Sequence, residues 1–170
     1  DAQDHAILGY DSVDNTGGQF ADYNVFLSGA FGTITMGDTD GAFDWAMEDL
    51  DKIADINDSN TWHAGFSGNA GLDGFYDGQV ARYDYSFGDF AFAVSAEIDD
   101  FGVLDPIFGI GGKYSGDLGG VTLGVGVGYQ DNGTSDAGGI SVSAGFSNIT
   151  AVVNYSTFNA YLVNNTGYGG

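Results

Sequence analysis

The 170-residue chain carries 24 Asp and Glu against 3 Lys and Arg, a formal charge of −21, so it cannot neutralise a polyanion and nucleic acid is excluded as a partner. With 30 Gly, 1 Pro and 15% aromatic residues it suits many short strands and tight turns, and its 43% hydrophobic residues, spread along the chain, argue against disorder. No apolar run could form a transmembrane helix, Asp1–Asn24 shows no basic-then-apolar leader, and the absence of Cys removes disulfides and thiolate metal sites.

Tyr23–Ala30 and Thr33–Gly37, joined at Phe31–Gly32, make a first hairpin. From Gly37 to Gly78 the alternation stops, and a connection of that length is either functional or disordered. Phe43, Trp45, Met47, Leu50, Trp62, Phe66 and Leu72 supply apolar area to dock it against a wall. Apolar residues at 43, 46, 47, 50, 53 and 54 have helical spacing, which predicts a short helix over Phe43–Ile56. The same segment holds ten acidic residues, among them Asp38, Asp40, Asp44, Glu48, Asp49, Asp51, Asp55 and Asp58.

Period-two alternation resumes at Val80–Phe87, with Ala81, Tyr83, Tyr85 and Phe87 on one face and Arg82, Asp84 and Ser86 on the other. After a turn at Phe87–Asp89, Phe90, Phe92, Val94, Ala96 and Ile98 continue the apolar face. Phe108, Ile110, Gly112 and Tyr114 alternate against Gly109, Gly111, Lys113 and Ser115. Beyond Gly116–Gly120, Val121, Leu123, Val125, Val127 and Tyr129 alternate against Thr122, three glycines and Gln130. The last hairpin joins Ile140–Phe146 to Ile149–Tyr155 at Ser147–Asn148. About eight strands result, with short turns at one end and longer connections at the other, Asp99–Pro106, Gln130–Gly139 and Ser156–Gly170.

The residues opposite the apolar face decide between architectures. A soluble sandwich would place Lys, Glu and Arg there, whereas Gly, Ala, Ser and Thr predominate, as suits a water-filled lumen. Aromatics at Phe87, Tyr114, Tyr129, Phe146 and Tyr155 fall near strand ends, where interfacial girdles lie. The fold class is therefore all-β, an antiparallel transmembrane barrel. The alternative function is that of a secreted or surface-exposed acidic β-sandwich, an adhesin or binding protein.

Enzymatic chemistry finds no support. His5 and His63 lie apart with no Ser, Cys or carboxylate at triad spacing, and Gly109–Lys113 lacks the Ser/Thr that a phosphate loop requires after its Lys. The acids Asp49, Asp51, Asp55 and Asp58 offer oxygens to Ca2+, without the turn glycine and bidentate Glu of an EF-hand. No other cofactor is expected.

Val25–Phe43 (VFLSGAFGTITMGDTDGAF) combines the turn SGAFG, the strand ITMGD and a long acidic segment directly after. It resembles the hairpin leading into the constriction loop of the Gram-negative general-diffusion porins, closest to the Rhodobacter-type alphaproteobacterial ones. Ala81–Asp99 (ARYDYSFGDFAFAVSAEID) is similar to the strand pair that follows in such porins. The resemblance covers Val25 to Tyr155. It implies an outer-membrane channel for passive diffusion of ions and small hydrophilic solutes, a homotrimer set in lipid and lipopolysaccharide, and a 16-stranded barrel. Residues 1–170 would belong to that single barrel domain, and residues 37–78 would be the inward-folded constriction loop. Asp38, Asp40, Asp44, Glu48, Asp49, Asp51, Asp55 and Asp58 would then face basic wall residues across the pore, for which this chain offers Arg82 and Lys113. Two explanations fit so few cations: a pore that favours cations, or further cations on strands outside this chain. The second is the expectation here, because eight strands leave no room for a water channel around such a loop.

Overall fold

Strands whose side chains alternate between large apolar and small residues can form a single sheet with two unlike faces. The structure, a computed structural model, describes residues 7–13, 22–48, 71–72, 79–99, 101–160 and 163–169. The described residues contain ten strands: β1 (Ile7–Val13), β2 (Asp22–Gly29), β3 (Gly32–Asp38), β4 (Gln79–Phe87), β5 (Phe90–Glu97), β6 (Ile107–Asp117), β7 (Thr122–Asp131), β8 (Asp136–Phe146), β9 (Ile149–Ala160) and β10 (Val163–Gly169). Among the described residues between β3 and β4 there is one short helix, α1 (Ala42–Ala46). All strands join one sheet in chain order, and each neighbouring pair is antiparallel. The eight strands expected from the sequence are β2 to β9, and β1 and β10 extend the sheet at its two edges.

The registers carry both faces across the sheet. Val94, Ile110, Tyr129 and Gly138 lie in one row, and Ala93, Gly111, Gly128, Gly139 and Ser156 in the next. On the first face Val25, Leu27, Ile34, Met36, Phe92, Val94, Phe108, Ile110, Val127, Ile140, Val142 and Val153 are all exposed, Phe108 at 61% and Ile110 at 58%. A sandwich would bury this face, so the sandwich alternative is not favoured. At the short-turn end of β4 to β6 the rings of Tyr85, Phe87, Phe90, Phe92 and Tyr114 adjoin one another, Phe90 and Tyr114 at 5.1 Å between centroids.

Tight turns close that end. Gly119 and Gly120, at φ +66° and +88°, turn β6 into β7 with Leu118 and Val121 bonded across them, the backbone that glycine pairs adopt in hairpins. Ser147, at φ +57°, turns β8 into β9 without a glycine.

The opposite end corrects the sequence reading. Gln130–Gly139 was expected to be loop, yet β7 runs to Asp131 and β8 starts at Asp136, leaving 132–135 as the connection. Most of Ser156–Gly170, also expected to be loop, is β9 and β10. Polar residues continue these ladders, with Asp131 paired to Asp136 and Asp136 to Asn159, whose Nδ2 donates to Asp136 Oδ2 at 3.0 Å. The apolar alternation ends where the face becomes polar, before the hydrogen-bonded strand ends.

Candidate functional site

The chain leaving β3 turns onto the small-residue face and lies across it. Gly41 precedes α1 and provides no side-chain cap. A wall hydroxyl takes that role, with the Ala42 N–H donating to Ser95 Oγ of β5 at 2.8 Å. Beyond the helix the Glu48 N–H donates to Ser141 Oγ of β8 at 2.8 Å, and Asn154 Nδ2 of β9 donates to the Glu48 carbonyl at 3.3 Å. Farther along, the Leu72 N–H donates to Gln130 Oε1 of β7 at 2.8 Å. Side chains on four wall strands, Gln130, Ser141 and Asn154 buried and Ser95 half-buried, thus satisfy main-chain groups of the crossing segment, which water would otherwise have to do.

The helix is shorter than the sequence predicts. It begins at Ala42, one residue before Phe43, and ends at Ala46, with Met47 extended at φ −81° and ψ 149°; Asp49–Ile56 lies outside the described residues. Geometry explains the stop. From β5 to β8 are three strand spacings, ~14 Å, whereas continuous helix from Ala42 to Glu48 would advance only ~9 Å. Extended backbone at Met47 adds the reach that brings Glu48 to Ser141.

Glycines on the wall make room for this crossing. A Cβ at Gly111 would meet the Ala42 carbonyl oxygen, one at Gly126 the Ala46 carbonyl oxygen, one at Gly128 the Phe43 ring and one at Gly139 the Met47 methyl. Along this trough Phe43, Met47 and Leu72 pack with Ile107 and Ala137, and with Phe158 at the margin. This is the buried apolar cluster of the described residues, and it lies between segment and sheet. Sequence reading assigned the small residues to a lumen and missed their second use as a seat. The signal was there, in Gly111, Gly126, Gly128 and Gly139 recurring on one face of three neighbouring strands.

Of the basic residues expected on the wall, both lie on the small-residue face and both meet the segment. Lys113 Nζ sits 4.0 Å from the centroid of the Trp45 ring, and Arg82 Cζ lies 5.9 Å from it. Arg82 also donates to the Asp40 carbonyl at 2.6 Å and to Asp84 Oδ1 at 3.4 Å. Among the expected acids, Asp40 and Glu48 are exposed and Asp44 is half-buried on α1. Asp38 ends β3 on the register of Met36, so it belongs to the other face. Asp49, Asp51, Asp55 and Asp58, and with them the proposed Ca2+ ligands, lie outside the described residues, as do His5 and His63.

Comparison with known proteins adds a family. The model of the Gram-negative porins matches residues 5–169. No curated protein and no solved structure matches the chain.

Proposed function

Because the chain belongs to the Gram-negative porins, we propose that it walls a water-filled channel in the outer membrane through which ions and small hydrophilic solutes diffuse passively. The family is one of channels, and the reading assigns the chain no catalytic step. One observation carries it: the large apolar side chains stand exposed on one face of the sheet while polar side chains and the crossing segment occupy the other. Such a sheet suits lipid on the first side and water on the second. From Ile149 to Tyr155 the apolar face of β9 covers ~20 Å of strand, comparable with the ~25 Å apolar band of membrane barrels.

On this reading residues 1–170 belong to one barrel domain, 16-stranded when complete, that assembles as a homotrimer among outer-membrane lipid and lipopolysaccharide. Residues 37–78 narrow the lumen, with Asp40, Asp44 and Glu48 among the acids that line it. The turn SGAFG and the strand ITMGD support an affinity to the alphaproteobacterial porins. Single-channel recording of the full-length protein in planar bilayers tests the function. Ohmic steps are expected, and their absence would defeat the proposal. Calorimetry of the trimer tests Ca2+ at Asp49, Asp51, Asp55 and Asp58, and a titration without heat would remove that ion from the scheme.

A further inference from the structure

We propose that Trp45 is a specificity-determining residue of the channel. It holds this chain's two wall cations at its ring, leaving exposed carboxylates of the crossing segment to meet the passing solute, and so raises the preference of the pore for cations. This rests on the channel reading above.

The two cations reach Trp45 from strands on either side of β5. Arg82 is registered with Ser95, and Lys113 with Ala91, so they approach from different levels of the wall. Between those levels stands Ala93, which is fully buried and presents only a methyl group. The electron-rich face of an indole attracts a cation best among the aromatic side chains. Lys113 Nζ, at 4.0 Å from the centroid, is well inside the distance at which that attraction acts, and Arg82 Cζ at 5.9 Å is at its limit. Arg82 is further committed to the Asp40 carbonyl and to Asp84, and its side chain is only 12% exposed. Trp45 itself is fixed in place, since Phe43 and Met47 on either side of it in sequence are buried in the trough and Ser95 and Ser141 hold the backbone at both ends.

The acids show the opposite disposition. The side chains of Asp40 and Glu48 are exposed beside the helix, and over the whole chain acids outnumber cations by 24 to 3. A solute passing the segment therefore meets carboxylate oxygens directly. The cations are held against an aromatic ring, where they stabilise the crossing segment and are less accessible to anions. An aromatic residue thus strengthens the preference through the cations it occupies.

Reversal potentials of the full-length protein in a KCl gradient test this. Wild type should favour K+ over Cl−. Trp45→Leu keeps apolar bulk but lacks the ring, so Lys113, the cation nearer to it, gains freedom to reach the lumen and its acids, while Arg82 keeps its bonds to the Asp40 carbonyl and Asp84. Holding a cation at a ring shifts its position by about two- to fivefold, and a fall of about that size in the K+ to Cl− permeability ratio is expected. Trp45→Phe, which retains a ring, should lie nearer wild type. The proposal is overturned if wild type prefers anions, if Trp45→Leu leaves the ratio unchanged, or if Leu and Phe alter conductance equally without moving the ratio, which is what a merely structural role would give. A wild type with no ohmic steps would overturn the channel reading itself.

Discussion

Gly111 and Gly112 are adjacent in β6 and face opposite ways, so the same substitution at each separates the seat from the strand. A Cβ at Gly111 would fall on the Ala42 carbonyl oxygen and crowd the Ala46 methyl, the first of them main chain that cannot rotate aside. At Gly112 the nearest atoms would be Val127 Cγ2 at 3.8 Å and the Ala91 carbonyl oxygen at 3.9 Å, ordinary van der Waals separations. Neither glycine has positive φ among the described residues, so backbone strain does not distinguish them. Overpacking of this kind costs about 1–3 kcal/mol. Replacing glycine where alanine fits gains about 0.4–1 kcal/mol through the unfolded chain. The unfolded-chain gain is common to both variants and cancels, so Gly111→Ala should be less stable than Gly112→Ala by about 1–3 kcal/mol. Urea unfolding in detergent, followed by tryptophan fluorescence, measures the gap. Coincident midpoints would refute a segment seated on this row of the wall.

On the apolar face, Ile110→Arg should cost about 2–4 kcal/mol when the protein unfolds from a bilayer, if this position lies near its midplane. An exposed position on a water-soluble sheet would register about 0.5 kcal/mol or less, and that result in vesicles would contradict lipid contact. Ser147→Gly should stabilise by roughly 0.5–1 kcal/mol, the left-handed strain relieved less the added chain entropy, and a loss in thermal midpoint would refute strain at this turn. In the connection after β5, the Asp99 carboxylate is held below the usual carboxylate range, first by the Val103 N–H, against an opposing effect of desolvation, then by the Leu104 and Phe101 N–H groups. A depressed folded value means that the bonds stabilise the loop above the ordinary carboxylate range and are lost as pH falls through the lowered value. Amide protection of Val103 and Leu104 should persist through the ordinary range and vanish below it, and protection independent of pH would refute the carboxylate's role.

Strand identity was legible because alternation on a sheet with one apolar face and one face of small residues is a local property. Ala81 to Phe87 and Phe108 to Tyr114 announce it residue by residue. Strand length was less legible. Alternation reports where the apolar face stops, whereas the ladder continues through Asp131, Asp136 and Asn159, whose polar side chains look like loop in sequence. The site was half legible. Phe43, Met47 and Leu72 could be read as anchors and Arg82 and Lys113 as wall cations. The helix stop at Ala46 could not, because it follows from the distance between Ser95 and Ser141, residues brought together only by the sheet. Nor could the position of Trp45 between the cations, since nothing in the spacing of residues 45, 82 and 113 encodes it.

The crossing segment leaves β3 and is held by partners that come later in the chain. Ala42 waits for Ser95, 53 residues on, Glu48 for Ser141, 93 residues on, and the Glu48 carbonyl for Asn154, 106 residues on. No such bond can form until β5, β8 and β9 have been laid against one another. Closing contacts of long sequence separation come late and at an entropic cost that the local hairpins do not bear. The segment therefore behaves as the last piece of the assembly, and its docking reports that the strands beneath it have found their registers. A one-residue slip anywhere from β5 to β8 would turn the trough of glycines away and offer it a row of bulky side chains.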